Sequence, residues 1–359
     1  MKAAVFQEAH KPLTIEDVDI IDPRAGEVLV RTSCSGVCHS DLHFVDGAWQ
    51  LPTSCVLGHE AAGVVEAIGE GVTYVKPGDR VIMSFRPFCG TCYYCLSGRP
   101  NLCNDPSHSA AQAQRLTWKG QPILQFASVG SFAEMMVTSE NGIVKIPDEM
   151  PMAEAALIGC GVMTGVGAAL YTAEVPGGST VAVIGCGGIG LNIIQGCRIA
   201  GAAKIIAIDI VDSKLDMASR FGATHTINSQ TDNLDEAIMD ITGGQGVEYS
   251  FEAIGVPAAA TQAFNILRPG GTCTVVGMHP LGSEISFPGP AFLQEKKILG
   301  CMYGSTRFRE HMPKLIDLFL QDRLDLTSLV SRRLKLEDVN EAFRSMKAGE
   351  VARSVLEFS

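Results

Sequence analysis

The sequence carries no excess of basic residues. Its 28 Lys and Arg stand against 39 Asp and Glu, a formal charge of −11. That argues against nucleic acid or an anionic membrane as a partner, because those surfaces select basic patches. No apolar run reaches the roughly 18 residues expected of a membrane-spanning helix, so no membrane partner is expected. Met1 to His10 lacks a basic stretch leading into an apolar core. No secretory signal is therefore read, and the cytoplasm is the expected compartment. Internal repeats and low-complexity segments are missing as well.

What is present is a globular composition, 46% hydrophobic and 19% charged, over 359 residues. That length is more than one ordinary core organises and predicts two domains. The 38 glycines predict many tight turns, as in an α/β protein. Residues 1–160 read as short strands separated by turns such as Lys76-Pro77-Gly78-Asp79. Ala153–Tyr171 reads as a closely packed helix. From Thr180 the pattern alternates strand and helix, which predicts a doubly wound parallel sheet. Two amphipathic helices, His311–Leu320 and Leu336–Met346, and a strand, Ser354–Phe358, return the chain to the first domain. The expected division is 1–161 with 305–359, and 162–304.

Gly185-Cys186-Gly187-Gly188-Ile189-Gly190 follows an apolar strand and opens a helix, the context in which this glycine spacing binds a dinucleotide. Gly185 makes the turn, Gly187 lets a pyrophosphate approach, and Gly190 allows helix and strand to pack closely, with Gly188 a further cofactor-binding candidate in the same turn. The next strand ends at Asp209. A carboxylate there accepts hydrogen bonds from ribose hydroxyls and repels a 2′-phosphate, which favours NAD over NADP. Lys214, five residues on, is within reach of the same ribose.

Twelve cysteines would suggest disulfides in a secreted chain, but their clustering favours metal. Cys89, Cys92, Cys95 and Cys103 supply four thiolates in one polar loop, a closed tetrahedral set suited to a structural zinc. An iron–sulfur centre fits the ligand type too, although nothing else argues for electron transfer. Cys38, two residues after Gly36, His59, next to Gly58, and Cys160, between Gly159 and Gly161, form a dispersed two-thiolate, one-imidazole set that leaves a fourth position open, as catalytic zinc requires. Cys34, Cys55, Cys186, Cys197, Cys273 and Cys301 are read as small buried residues.

These segments, GVCHSDLH, GHEAAGVV, KPGDRV, the four-cysteine loop, LIGCGVMTG and VIGCGGIG, occur in the order found in the zinc-dependent medium-chain alcohol dehydrogenases. The chain resembles that family over essentially its whole length. The long stretch between Cys103 and Phe132 and the terminal ARSVLEF resemble the branch holding the animal enzymes and glutathione-dependent formaldehyde dehydrogenase (class III). The resemblance implies a β-rich GroES-like catalytic domain, a Rossmann domain, two zinc ions per chain and NAD. It also implies Cys38, His59 and Cys160 as catalytic zinc ligands, Glu60 close to the metal, and Asp41 orienting the ligand histidine. Ser40 would hydrogen-bond the substrate oxygen and His43 pass the proton to solvent. His39 and Arg353 would touch the pyrophosphate, Thr164 the nicotinamide, and Phe85 the substrate. Trp49 replaces the acidic residue of the formaldehyde enzymes, and their glutathione-binding arginine falls near Ser107. Both departures argue against that activity, and the large apolar ring of Trp49 points instead to an apolar or aromatic alcohol, oxidised reversibly to aldehyde or ketone. A thiol-adduct-dependent formaldehyde dehydrogenase and a polyol dehydrogenase are the enzymatic alternatives. An inactive zinc-stabilised protein and a zinc-free reductase are disfavoured by the intact ligand sets. A homodimer is expected, paired through the sheet-edge strand Lys297–Cys301.

Overall fold

A computed structural model describes residues 1–106 and 114–358; the position near Ser107 noted above lies outside them. The described chain divides into two units. One comprises Met1–Gly161 and Arg307–Ser359, the other Val162–Thr306.

The first unit is β-rich. Its seven-stranded sheet runs Ile143–Lys145, Arg80–Met83, Glu60–Ile68, Glu27–Val37, Arg353–Glu357 and Val330–Leu334, with Met135–Ser139 also paired to Glu27–Val37. Alternation explains the central strand: Val28 and Val30 are buried while Arg31 faces out. With Val65, Val81, Met83 and Met136 these valines form one core. The C-terminal strand Arg353–Glu357 joins this sheet antiparallel to Glu27–Val37, so the chain does return to its first domain. A second sheet, of six short strands, begins with Thr14–Asp17 and Lys2–Phe6.

The second unit holds six strands in the order His225–Asn228, Lys204–Asp209, Thr180–Ile184, Val247–Glu252, Leu267–Val275, Lys297–Gly300. Every pairing is parallel. The register aligns Ile184 with Ile208 on one side and with Glu252 on the other. Gly185, Asp209 and Glu252 therefore stand together at the carboxyl ends of the three central strands, where such sheets bind ligands. Lys297–Gly300 is an edge strand of this sheet, as expected.

One sequence expectation is corrected. Met152–Thr172 forms a helical stretch of 21 residues, long and apolar enough to cross a membrane by length and composition. Its most apolar window is 89% buried within the protein, so packing already covers the surface that lipid would otherwise cover. The stretch is not a uniform α-helix. Ile158–Val162 and Ala168–Thr172 are π-helical turns, a local widening found often at functional sites.

Candidate metal and dinucleotide sites

Strand register builds the first metal cluster. Glu27–Val37 pairs antiparallel with Glu60–Ile68, with Gly36 opposite Glu60. Cys38, just past one strand end, thereby meets His59, just before the other strand begins. A side chain at Gly36 would collide with the Glu60 carboxylate, so glycine is required for that carboxylate to lie across the strand. Cys160 arrives from the π turn Ile158–Val162. Its glycine neighbours permit close approach: a Cβ on Gly159 would meet the Met83 carbonyl at 2.8 Å, and one on Gly161 the Arg353 guanidinium.

The ligand atoms of Cys38, His59, Glu60 and Cys160 all lie within 4.8 Å of one another, and all four residues are buried. The surroundings fit a cation. Asp41, with no exposed surface, accepts hydrogen bonds from the Gly58 amide at 2.9 Å and from His59 Nδ1 at 3.2 Å. That fixes the imidazole and leaves Nε2 as its free ligand atom. The Cys160 thiol donates toward Cys38 and so holds the Cys38 thiol well below its ordinary range. Burial pushes the Glu60 carboxyl up to about 7 against the pull of Arg353, whose Nη1 lies 3.4 Å from Glu60 Oε1. Glu60 Oε1 also accepts from the Gly161 amide at 3.1 Å, and Oε2 makes no hydrogen bond among the described residues. Two thiols, an imidazole and one carboxylate buried together are a donor set for zinc.

Cys38 caps the helix His39–Val45, which carries the other predicted residues. Ser40 Oγ lies 3.7 Å from Cys38 Sγ. His39 is exposed, whereas Ser40 and His43 are half-buried. Burial lowers the affinity of His43 for a proton. Around His59 stands an aromatic shell. Phe85 meets it edge-on at 5.6 Å and Phe126 at 5.5 Å, Phe44 packs on Phe126 at 5.0 Å, and Trp49 on Phe44 at 6.4 Å. Phe85 and Trp49 were read from the sequence. Phe126 and Phe44 were not, since neither belongs to a ligand motif.

The second cluster is the loop of Cys89, Cys92, Cys95 and Cys103, whose sulfurs also lie within 4.8 Å of one another. Sulfurs are 3.9 Å apart for Cys89 and Cys95, and 3.8 Å for Cys92 and Cys103. Tetrahedral zinc with Zn–S bonds of about 2.3 Å places its sulfurs about 3.8 Å apart. Amides point inward as thiolates require. Cys89 Sγ accepts from Cys92 N at 3.2 Å and Thr91 N at 3.4 Å, and Cys103 Sγ from Cys89 N at 3.4 Å. With the Thr91 hydroxyl foremost, these donors bring the Cys89 thiol down to about 6. All twelve cysteines are free. Five of the six read as packing residues are buried and Cys301 is half-buried.

In the second unit, Gly185 takes φ +95°, a conformation that favours glycine. A Cβ on Gly190 would strike the Gly185 carbonyl, while one on Gly187 would meet nothing within 4 Å. The first contact is close helix–strand packing; the second is open space above the turn at the N-terminus of helix Gly188–Ala200, the place for a pyrophosphate. Asp209 is buried and does more than its sequence position indicates. Its Oδ2 accepts from the Cys186 amide at 2.8 Å, and Oδ1 from Ile210 N at 2.8 Å and Val211 N at 3.1 Å. It thus braces the glycine turn, with one lone pair of Oδ2 left for a ribose. Lys214 is half-buried on helix Asp212–Phe221, and Thr164 half-buried on Met163–Gly167. Arg353 is buried in the first unit, paired with Glu60.

A β-rich unit with a buried Cys/His cluster, together with a parallel-sheet unit of dinucleotide-binding form, defines a metal-binding dehydrogenase. Comparison with known proteins agrees. Residues 24–148 match the alcohol dehydrogenase GroES-like domain, and residues 188–321 the zinc-binding dehydrogenase family. An alcohol dehydrogenase zinc-binding domain protein from Burkholderia ambifaria is 37% identical, with 100% of this chain and 98% of that one covered and a TM-score of 0.94. Benzyl alcohol dehydrogenase from Acinetobacter calcoaceticus is 32% identical, with 100% and 99% covered and a TM-score of 0.94. The alcohol dehydrogenase of Aeropyrum pernix is 31% identical, with both chains covered in full and a TM-score of 0.84. The chain belongs to the zinc-dependent medium-chain alcohol dehydrogenase family, and is an oxidoreductase.

Proposed function

We infer that the protein oxidises a primary or secondary alcohol bearing an apolar or aromatic group, reversibly and with NAD. The aromatic shell around His59 carries the substrate reading. Phe85, Phe126, Phe44 and Trp49 offer apolar faces and edges beside the metal cluster, which favours a ring or alkyl chain over a polyol. The likeness to a benzyl alcohol dehydrogenase supports it.

Cys38, His59 and Cys160 would hold one zinc, and the four-cysteine loop a second. A zinc in the first set supplies Lewis acidity to the substrate oxygen, and NAD supplies the hydride acceptor. The chain's own residues manage the proton. Ser40, beside Cys38, takes it from the substrate hydroxyl. His43, kept neutral by burial, relays it to solvent. The proton would leave by this path, and the bound dinucleotide would accept the hydride, so that the alcohol is released as a carbonyl compound. Asp209 selects NAD by disfavouring a 2′-phosphate.

We further infer a homodimer paired through the edge strand Lys297–Gly300. The exposed Phe292 and Leu293 lie just before that strand, and an uncovered apolar edge invites pairing. The test of the catalytic reading is a panel of primary, secondary and aromatic alcohols with NAD. Turnover is expected to be fastest with aromatic or long-chain apolar alcohols. Preference for short polyols would overturn it.

A further inference from the structure

The second unit buries a charged group that the mechanism above does not use. Glu252 ends the strand Val247–Glu252 and has no exposed surface. Its atoms tie two loops together. Oε1 accepts from the amides of Ile254 at 2.7 Å and Gly255 at 2.5 Å. Its carbonyl accepts from Val276 at 2.9 Å and Gly277 at 3.1 Å. Oε2 forms no hydrogen bond among the described residues and lies 3.3 Å from His279 Nε2. The glycines around it leave no spare room: a Cβ on Gly277 would sit 2.6 Å from Oε2, and one on Gly255 2.5 Å from the Met278 carbonyl.

The position of this carboxylate follows from the strand order. On the dinucleotide reading above, Asp209 would hold the adenosine half over Lys204–Asp209, and the open space over Gly187 would take the pyrophosphate at the end of Thr180–Ile184. The other half then extends in the opposite direction, over Val247–Glu252 and Leu267–Val275. Loop 253–255 abuts the glycine turn directly, since a Cβ on Gly185 would meet Ile254 at 2.5 Å. Glu252 and His279 therefore stand on the nicotinamide side. The nicotinamide ring is a cation when oxidised and neutral when reduced, so a fixed negative charge there distinguishes the two forms.

We propose that Glu252, held by the two loops and faced by His279, sets the relative affinity for oxidised and reduced dinucleotide. It acts by favouring the cationic ring electrostatically. The inference rests on the dinucleotide reading above. It assigns Glu252 and His279 as positioning and tuning residues, since neither need touch the reacting atoms.

The test is direct binding of NAD+ and NADH to the zinc-loaded protein, by calorimetry or protein fluorescence, without turnover. Glu252→Gln keeps the shape and an oxygen for the amides of residues 254 and 255. It is expected to weaken NAD+ on the order of tenfold and to leave NADH nearly unchanged. His279→Lys, at a partly exposed loop position, adds a permanent positive charge and is expected to shift the ratio toward NADH in the same direction. That second variant decides the matter if Glu252→Gln does not fold. Equal weakening of both nucleotides, or an unchanged ratio in a folded variant, would overturn the proposal. Wild-type protein that binds neither nucleotide would overturn the underlying dinucleotide reading instead.

Discussion

Asp41 Oδ1 accepts a hydrogen bond from His59 Nδ1 at 3.2 Å, inside a protein interior that leaves Asp41 without exposed surface and His59 at 3%. The same oxygen accepts the Gly58 amide at 2.9 Å. One carboxylate thus sets both the backbone before the ligand and the orientation of its ring. The arrangement makes Asp41 a determinant of metal affinity rather than of substrate binding.

Replacing Asp41 by Asn keeps the volume and one acceptor oxygen but removes the negative charge that faces His59 Nδ1. Metal affinity at the Cys38, His59 and Cys160 site is expected to fall roughly 10- to 100-fold. The four-cysteine loop should keep its zinc. Metal analysis after dialysis against graded chelator checks this; loss of both ions in parallel would point to general unfolding.

His43 is expected to act as the exit for the proton. His43→Gln should lower alcohol oxidation roughly tenfold to a hundredfold, since water or buffer can substitute. Added imidazole should restore part of that loss, whereas Ser40→Ala should fall further and not recover. Burial lowers the pKa of His43 from 6.5, so the neutral, proton-accepting form prevails above that pH. The wild-type rate should decline only as pH falls below 6.5, and the variant should lack that limb. Full activity with an unchanged pH profile in His43→Gln would remove the residue from the mechanism.

A stability prediction concerns His311 in the helix Phe308–Leu320. Its Nδ1 accepts the Arg307 amide at 3.2 Å, which requires the neutral ring. Burial, opposed by Glu310, brings its pKa from 6.5 down to about 4. Between those values the unfolded chain binds the extra proton, so stability rises with pH. The contribution is full above pH 6.5 and is lost progressively as pH falls toward 4. Thermal melts over that window should show wild type losing roughly 2 °C per pH unit more than His311→Gln. Parallel curves would show that His311 does not titrate as described.

Much of this was legible in the chain because its signals are local. Four cysteines within fifteen residues, or six residues of glycine turn after an apolar strand, specify their geometry by spacing alone. Cys38, His59 and Cys160 lack such spacing. They meet because Gly36 pairs with Glu60 and because a π turn lifts Cys160, and neither register nor helix widening is written in composition. Phe126 sits edge-on to His59 across many residues of chain and carries no motif. Met152–Thr172 escaped as a long apolar segment because the charged Glu154 interrupts it in sequence. In the fold Glu154 is buried and paired with Arg333 at 3.1 Å.

The central claim is alcohol oxidation at a metal centre built from Cys38, His59 and Cys160, with a second zinc in the four-cysteine loop. Elemental zinc content measured alongside turnover of an aromatic alcohol with NAD tests it most directly. Two zinc ions per chain are expected in fully active protein. A chelator that removes one of them should abolish turnover, and added zinc should restore it. Fully active protein holding fewer than two tightly bound zinc ions, or turnover that persists in metal-free protein, would contradict the account.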